Sequence, residues 1–132
     1  MQRREFEQIV HQAWRRIPGR FRRKVQNLAI VVEEEPGGAH LRRGSVGPGH
    51  TLLGLYEGVP LSRRGLGYGM VLPDKISLFQ GPIEREARRE EDIPDIVYET
   101  LWHELAHYFG MSESQVRTAE RRRAGGRTSS LR

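Results

Sequence analysis

The 132-residue sequence contains no cysteine. It therefore has no disulfide bonds, no cysteine ligands for a metal, and no thiol nucleophile or thiol redox switch. It also lacks any apolar run near the ~18 residues that a membrane-spanning helix needs, and its charged first residues do not resemble a secretory signal. From these absences and from the chain length, we expect a single soluble domain in the cytoplasm, with no contact to a membrane.

Lysine is scarce as well, since 20 of the 22 basic residues are arginine. The formal net charge of +5 is unevenly distributed. Residues 1–25 and 117–132 are strongly basic, whereas residues 84–99 are acidic. Basic ends suit an acidic partner such as nucleic acid, but an arginine-rich solvated surface gives the same pattern. We expect no sequence-specific binding of nucleic acid.

Apolar periodicity predicts two main helices. The first covers residues 3–17, where apolar side chains recur at spacings of three and four. The second and stronger pattern begins near Pro94, which suits a first helical turn, and ends at Gly110. Ser112 and Gln115 have the spacing of a capping box and predict a last helix directly after this one.

The rest of the chain favours short strands and loops. β-branched runs and polar–apolar alternation predict three strands, over residues 26–34, 51–56 and 75–80. The glycine-rich residues 36–50 are predicted as a loop, and the charged residues 84–92 as a short solvated helix. Residues 124–132 are rich in glycine, serine and arginine and are predicted to be a disordered basic tail, which leaves residues 1–123 as one domain.

The second helix carries the motif H-E-x-x-H as His103, Glu104 and His107. Two histidines four positions apart lie one turn apart on one helical face, so both imidazoles can bind one zinc ion at ~2.0–2.1 Å. The glutamate between them is placed to take a proton from a water molecule rather than to bind the metal. The pattern predicts a zinc site with Glu104 as the general base.

A catalytic zinc ion normally has three protein ligands and a water molecule. Glu113 is the first candidate for the third ligand, because Gly110 allows a sharp turn that can return a following side chain to the metal. A carboxylate at the start of the last helix also stabilises that helix without binding metal. Glu120 on the last helix, and His40 and His50 in the glycine-rich loop, are the remaining candidates.

The extended pattern H-E-x-x-H-x-x-G-x-x-E resembles the zinc signature of the metzincin clan, with an acid in place of the third histidine. Together with LGLYEGVPL at residues 53–61, LPDKISLFQGPIE at 72–84 and HELAHYFG at 103–110, it resembles the minimal zincin family. These are small bacterial proteins classed with the zinc metallopeptidases. The first two segments make the match specific, because many clans share the zinc motif.

The resemblance implies a compact α+β fold in which a small mixed β-sheet packs against an active-site helix bearing His103, Glu104 and His107. It also implies zinc as the cofactor and a peptide or protein as the substrate. The strand at Ile76–Gln80 is expected near the cleft, where zincins add an extended peptide as a further strand.

Three classes of function are compatible with the sequence. The first is a zinc metallopeptidase. The second is a metal-stabilised scaffold or regulatory protein with the same fold and little or no activity. The third is a helix-turn-helix module whose arginine-rich last helix enters DNA. Its arginines lie at the far end of that helix, whereas recognition helices read bases mainly from their first turns, so the peptidase is the preferred hypothesis.

Overall fold

The computed structural model describes residues 1–44, 51–59 and 73–125, apart from the side chains of residues 120 and 123–125. The candidate ligand His50, the side chain of the candidate Glu120 and residues 126–132 of the predicted tail lie outside the described parts. The helices are α1 (Arg3–Arg16), α2 (Gly19–Arg22), α3 (Gly38–Arg43), α4 (Gln80–Glu86), α5 (Ile93–Tyr108) and α6 (Glu113–Gly125). The strands are β1 (Leu28–Glu33), β2 (Gly54–Glu57) and β3 (Asp74–Phe79).

The three strands form one mixed sheet in the order β1-β3-β2. β1 is parallel to β3, with Ile30 beside Ile76, and β2 is antiparallel to β3, with Leu55 opposite Ser77. The fold of the described residues is thus a small mixed sheet combined with helices, which confirms the predicted α+β class.

The position of β3 corrects one expectation. Ile76–Gln80 was predicted as the place where a peptide joins the sheet, but β3 is the central strand and pairs with a neighbour on each side. Gln80 already belongs to α4. A peptide cannot join the sheet at a strand that is paired on both sides, and the outer strand of the described sheet that contacts α5 is β2.

The core lies between the sheet and the two long helices. In α1, Phe6, Val10 and Ala13 form a buried stripe, and this stripe packs towards α5. The buried face of α5 lies against the sheet, where Ile76 and Leu78 are fully buried. Burial of a large apolar side chain stabilises the fold by roughly 1.5–3 kcal/mol, so this packing holds α5 rigidly. Within the described ranges, no helix has both the length and the apolar character needed to cross a membrane.

Three helices, α3, α4 and α6, differ from the sequence predictions. α3 lies inside the segment that was predicted as a loop, because contacts distant in sequence stabilise it. The ring of His40 packs on Phe79 at 5.1 Å, and Arg43 forms an ion pair with Glu57. The helix predicted over 84–92 starts earlier, at Gln80, and is followed by a 3-10 turn at Glu90–Asp92. α6 continues to Gly125, two residues into the predicted tail.

Candidate metal centre

His103 and His107 lie side by side on the solvent-facing side of α5. Their ring centroids are 5.2 Å apart, and each side chain is about a quarter exposed. On another face of the same helix, Leu101 and Leu105 are completely buried in the core. The helix is therefore anchored by one face and presents both imidazoles on another, as the motif predicts.

α5 ends where the sequence predicts, beside Gly110. The Gly110 N–H donates to the His107 carbonyl (2.9 Å), and the Met111 N–H donates to the Ala106 carbonyl (3.0 Å). This pair of bonds is a Schellman motif, which needs a left-handed residue after the helix. Gly110 supplies that conformation with a φ of +102°. The motif turns the chain back towards the histidines.

A capping box starts α6 directly after this turn. The Gln115 N–H donates to the Ser112 hydroxyl (3.2 Å), and the Ser112 N–H donates to the Gln115 side-chain carbonyl (2.7 Å). Both bonds of the predicted box are present. They fix Glu113 as the first residue of α6 and so set the direction of its side chain.

The Glu113 carboxylate faces both imidazoles. Its Oε1 lies 3.2 Å from His103 Nε2 and 2.9 Å from His107 Nε2, and the three ligand atoms all lie within 4.8 Å of one another. The other oxygen, Oε2, accepts a hydrogen bond from Arg117 Nε at 3.1 Å. The orientation predicted for Glu113 is confirmed, whereas its role as a metal ligand stays a prediction.

A backbone carbonyl sets the tautomer of His107. Nδ1 of His107 lies 3.0 Å from the Met111 carbonyl oxygen, which can only accept, so Nδ1 carries the proton. In the neutral ring, Nε2 then offers a lone pair towards the Glu113 oxygen. Two acceptor atoms at 2.9 Å need a proton or a cation between them. The donor set and its arrangement therefore fit a metal ion. The Met111 carbonyl, which the sequence did not indicate, orients the His107 ring through its bond to Nδ1.

The charges of the site favour an ionised Glu113. Burial by itself would raise the pKa of Glu113, but the charges and hydrogen bonds of His103 and His107 outweigh it and lower the pKa. The carboxylate is therefore in the form that binds metal at neutral pH.

Glu104 has a different environment on the same helix. It is only 8% exposed, and its Oε1 accepts the backbone N–H of Tyr56 at 2.9 Å. Burial raises the pKa of Glu104, while the charges of His103 and His107 and the Tyr56 hydrogen bond oppose the rise. The carboxylate lies apart from the three converging ligand atoms. The role of Glu104 as a general base stays a prediction.

Two tyrosines and an aspartate hold this part of β2. The Tyr56 hydroxyl donates to Asp74 Oδ2 at 2.6 Å, and its ring meets the ring of Tyr108 edge to face at 5.9 Å. The Tyr108 hydroxyl donates to the Gln26 carbonyl (2.8 Å) and accepts the Gln26 N–H (2.7 Å). Sequence reasoning missed these supports, because only the quoted segments around Tyr56 and Asp74 marked the region as distinctive. Asp74 itself is almost fully buried.

The histidine His40 lies away from the site. Its Nδ1 accepts the Gly37 N–H at 3.0 Å, and its Nε2 lies 3.9 Å from carboxylate oxygens of Glu33 and Glu57. These contacts and the packing on Phe79 hold it in α3, so the structure does not bring it to the three ligand atoms.

Comparison with known proteins agrees with this geometry. A family model described as zincin-like metallopeptidase matches residues 25–123. The chain belongs to the zincin-like metallopeptidase family. The match covers the three described strands of this zincin-like protein, all of α5, and α6 as far as residue 123. It confirms the family that the sequence resembles.

One solved structure is similar to this zincin-like chain over nearly its whole length. It is a conserved hypothetical protein from T. thermophilus, with 26% sequence identity and a TM-score of 0.57. The similarity covers 91% of this chain and 99% of that chain. No functionally curated protein matches the chain.

Proposed function

We propose that this zincin-like chain is a zinc-dependent peptidase, with His103, His107 and Glu113 as the metal ligands. The supporting observation is the convergence of two imidazole nitrogens and a carboxylate oxygen within 4.8 Å, beside the buried Glu104. Three such ligands with a fourth position open are typical of a catalytic zinc site. When bound, zinc lowers the pKa of water and polarises a carbonyl, which is the chemistry that peptide hydrolysis needs.

Glu104 is the proposed general base. Its Oε1 is engaged by the Tyr56 N–H, which leaves Oε2 as the oxygen that accepts a proton from the attacking water. Because burial raises the pKa of Glu104, the carboxylate holds that proton more firmly than an exposed glutamate would. The same group can then return the proton to the departing amine.

The proposed peptide-binding edge is that of β2. The Phe79 N–H donates to the Leu53 carbonyl, so Leu53 and every second residue after it direct their backbone groups at β3. Gly54 and Tyr56 lie between them and face away from β3. The bond from the Tyr56 N–H to Glu104 places this edge beside the proposed base. An extended peptide added here would therefore run past the reacting groups.

Zinc analysis tests the metal site. Freshly purified protein should contain close to one zinc per chain, and His103→Ala should contain far less. His11→Ala, on α1, is the matched control and should keep the metal. Equal zinc in the wild type and in His103→Ala would contradict the proposal.

Hydrolysis separates the peptidase from a metal-holding scaffold. We propose mixed peptide substrates analysed by mass spectrometry, with the wild type compared against Glu104→Gln. Cleavage by the wild type and loss of cleavage in a zinc-loaded Glu104→Gln support the peptidase. Zinc binding with no cleavage by either protein would favour the scaffold.

The helix-turn-helix alternative has less support. A recognition helix reads bases from its N-terminal part, but this part of α6 carries Glu113, which contacts both histidines and Arg117. A carboxylate at that place also repels the DNA backbone. The cytoplasmic location and the peptide substrate remain proposals, which rest on the sequence and on the family resemblance.

A further inference from the structure

The outer edge of β1 carries backbone groups that no strand in residues 1–44, 51–59 and 73–125 covers. The Asp74 N–H donates to the Asn27 carbonyl, so in this parallel ladder Ala29, Val31 and Glu33 direct their backbone groups at β3. The residues between them, Leu28, Ile30 and Val32, direct theirs outward. Arg3 supports this direction independently, because its Nη1 donates to the outward Val32 carbonyl at 3.1 Å.

This edge is unusually apolar for an exposed one. Residues 28–32 read Leu-Ala-Ile-Val-Val, with none of the charges or prolines that normally protect an edge strand from pairing. Every residue of β1 is only half-buried. An open groove of about 640 Å³ runs between the strand and α1, and apolar side chains such as Val10, Trp14 and Val25 line most of it.

The two ends of β1 carry opposite charges. Basic residues precede the strand, with Arg23 and Lys24 exposed, and the strand ends in Glu33 followed by the exposed Glu34 and Glu35. Neither Lys24 nor Glu34 has an ion-pair partner within 4.0 Å among the described residues. A strand with one basic and one acidic end is complementary to an antiparallel copy of itself.

We propose that β1 is the docking edge for a second copy of this chain, which pairs with it antiparallel around a two-fold axis near Ile30. In this register Ile30 faces Ile30 of the second copy, and Leu28 faces Val32. Each outward N–H of the three residues then finds an outward carbonyl, and the Val32 oxygen can accept a second bond besides that of Arg3. The acidic end of each strand meets the basic end of the other.

The pairing joins the two sheets into one six-stranded sheet. Because β2 is at the opposite edge from β1, both copies keep β2 at the outer ends of that sheet. The candidate metal centres therefore stay open in the dimer, and the inference does not depend on whether the chain hydrolyses peptides. Symmetric pairing of one surface with itself is the commonest form of oligomer.

Amide hydrogen exchange of the full chain, measured by NMR at several protein concentrations, tests the pairing directly. The outward amides of Leu28, Ile30 and Val32 should become protected as concentration rises and exchange freely on dilution. Those of Ala29 and Val31 already bond to β3 and should stay protected throughout, which makes them an internal control. Sedimentation of the same samples should show a dimer.

Charge-reversal substitutions test whether the partner is a second copy of the chain and whether the two β1 strands pair antiparallel. Lys24→Glu and Glu34→Lys should each weaken the dimer about tenfold, because each substitution acts at both ends of the interface. The double variant should recover to within about threefold of the wild type. Arg121→Glu, the same change of charge on α6, should leave association unaltered.

Three outcomes would overturn the proposal. The first is a monomer at millimolar concentration with freely exchanging outward amides. The second is a monomer whose outward amides are protected at every dilution, since the same chain would then cover the edge. The third is a dimer that neither single charge variant weakens, because the contact would then lie elsewhere.

Discussion

The two outer strands of the described sheet differ in the groups that face their edges, and the two proposals above assign them different roles. β2 is short, and Glu104 reaches its edge to bind the Tyr56 N–H at 2.9 Å. β1 is longer and apolar, and its edge is touched by Arg3 at the Val32 carbonyl. A polar edge close to ionisable groups suits a reacting peptide, whereas an apolar edge with opposite charges at its ends suits a fixed partner.

The largest expected effect concerns Glu104, beside the β2 edge. Glu104→Gln keeps the shape and the Tyr56 bond but removes the base, so peptide hydrolysis should fall by roughly 10²–10⁴-fold. Zinc content should not change. Glu7→Gln, in the groove beside β1, is the matched control and should retain full activity. Loss of zinc from Glu104→Gln would instead make Glu104 a ligand.

Removal of Glu113, the proposed third ligand, should mainly affect metal binding. Glu113→Ala should weaken zinc binding by at least ~10–100-fold, which is the loss caused by removing a hydrogen-bond partner of a metal ligand. The fold should lose only ~0.3–1 kcal/mol, the value of a carboxylate in a first helical turn. Zinc titration with a competing chelator and urea unfolding measure the two effects. Unchanged zinc affinity in Glu113→Ala would mean that Glu113 stabilises the start of α6 but does not bind the metal. Glu91→Ala, which removes an exposed glutamate elsewhere, is the control.

The turn after α5 should not tolerate a side chain at Gly110 without a loss of stability. Gly110 has a φ of +102°, so Gly110→Ala should destabilise the protein by roughly 1–3 kcal/mol and also weaken zinc binding. Gly38→Ala in α3 is the matched control, because Gly38 has no positive φ and a new Cβ there would meet only the flexible end of Arg42. Equal stability of the two variants in urea would show that the turn does not constrain the site.

The smallest effect concerns the acidic end of β1. The Arg85 hydrogen bond lowers the pKa of Glu35, although burial slightly opposes the shift. A lowered pKa in the folded state stabilises the protein above the ordinary value of 4.5, and this stabilisation disappears as the pH falls below that value. Arg85→Ala should therefore be slightly less stable than the wild type at pH 7, and this difference in stability should shrink as the pH falls below 4.5. Thermal unfolding of both proteins across this pH range measures the difference in stability. A difference that does not change with pH would show that Arg85 does not lower the pKa of Glu35.

Local patterns predicted the arrangement of the three candidate ligands. The spacing of His103 and His107, the turn at Gly110 and the box at Ser112 each depend on residues within one or two helical turns. Their geometry therefore follows from the order of residues, and Glu113 lies where that order predicts.

The rest of the candidate site depends on contacts distant in sequence. Tyr56 and Glu104 are 48 positions apart, and no periodicity links them. α3 was missed for the same reason, since His40 is held by Phe79 rather than by its own neighbours. The central position of β3 was also missed, because alternation identifies a strand but not its place in a sheet.

This division has a consequence for the order of assembly during folding. The candidate ligands are only ten positions apart along the chain, so a single helix end can bring them together early. The proposed base acquires its amide partner only after a long loop closes and the sheet forms, which is a slower event. We therefore expect a refolding chain to bind the proposed zinc ion before it gains the proposed peptidase activity. Refolding experiments should show uptake of the metal before the first hydrolysis of a peptide.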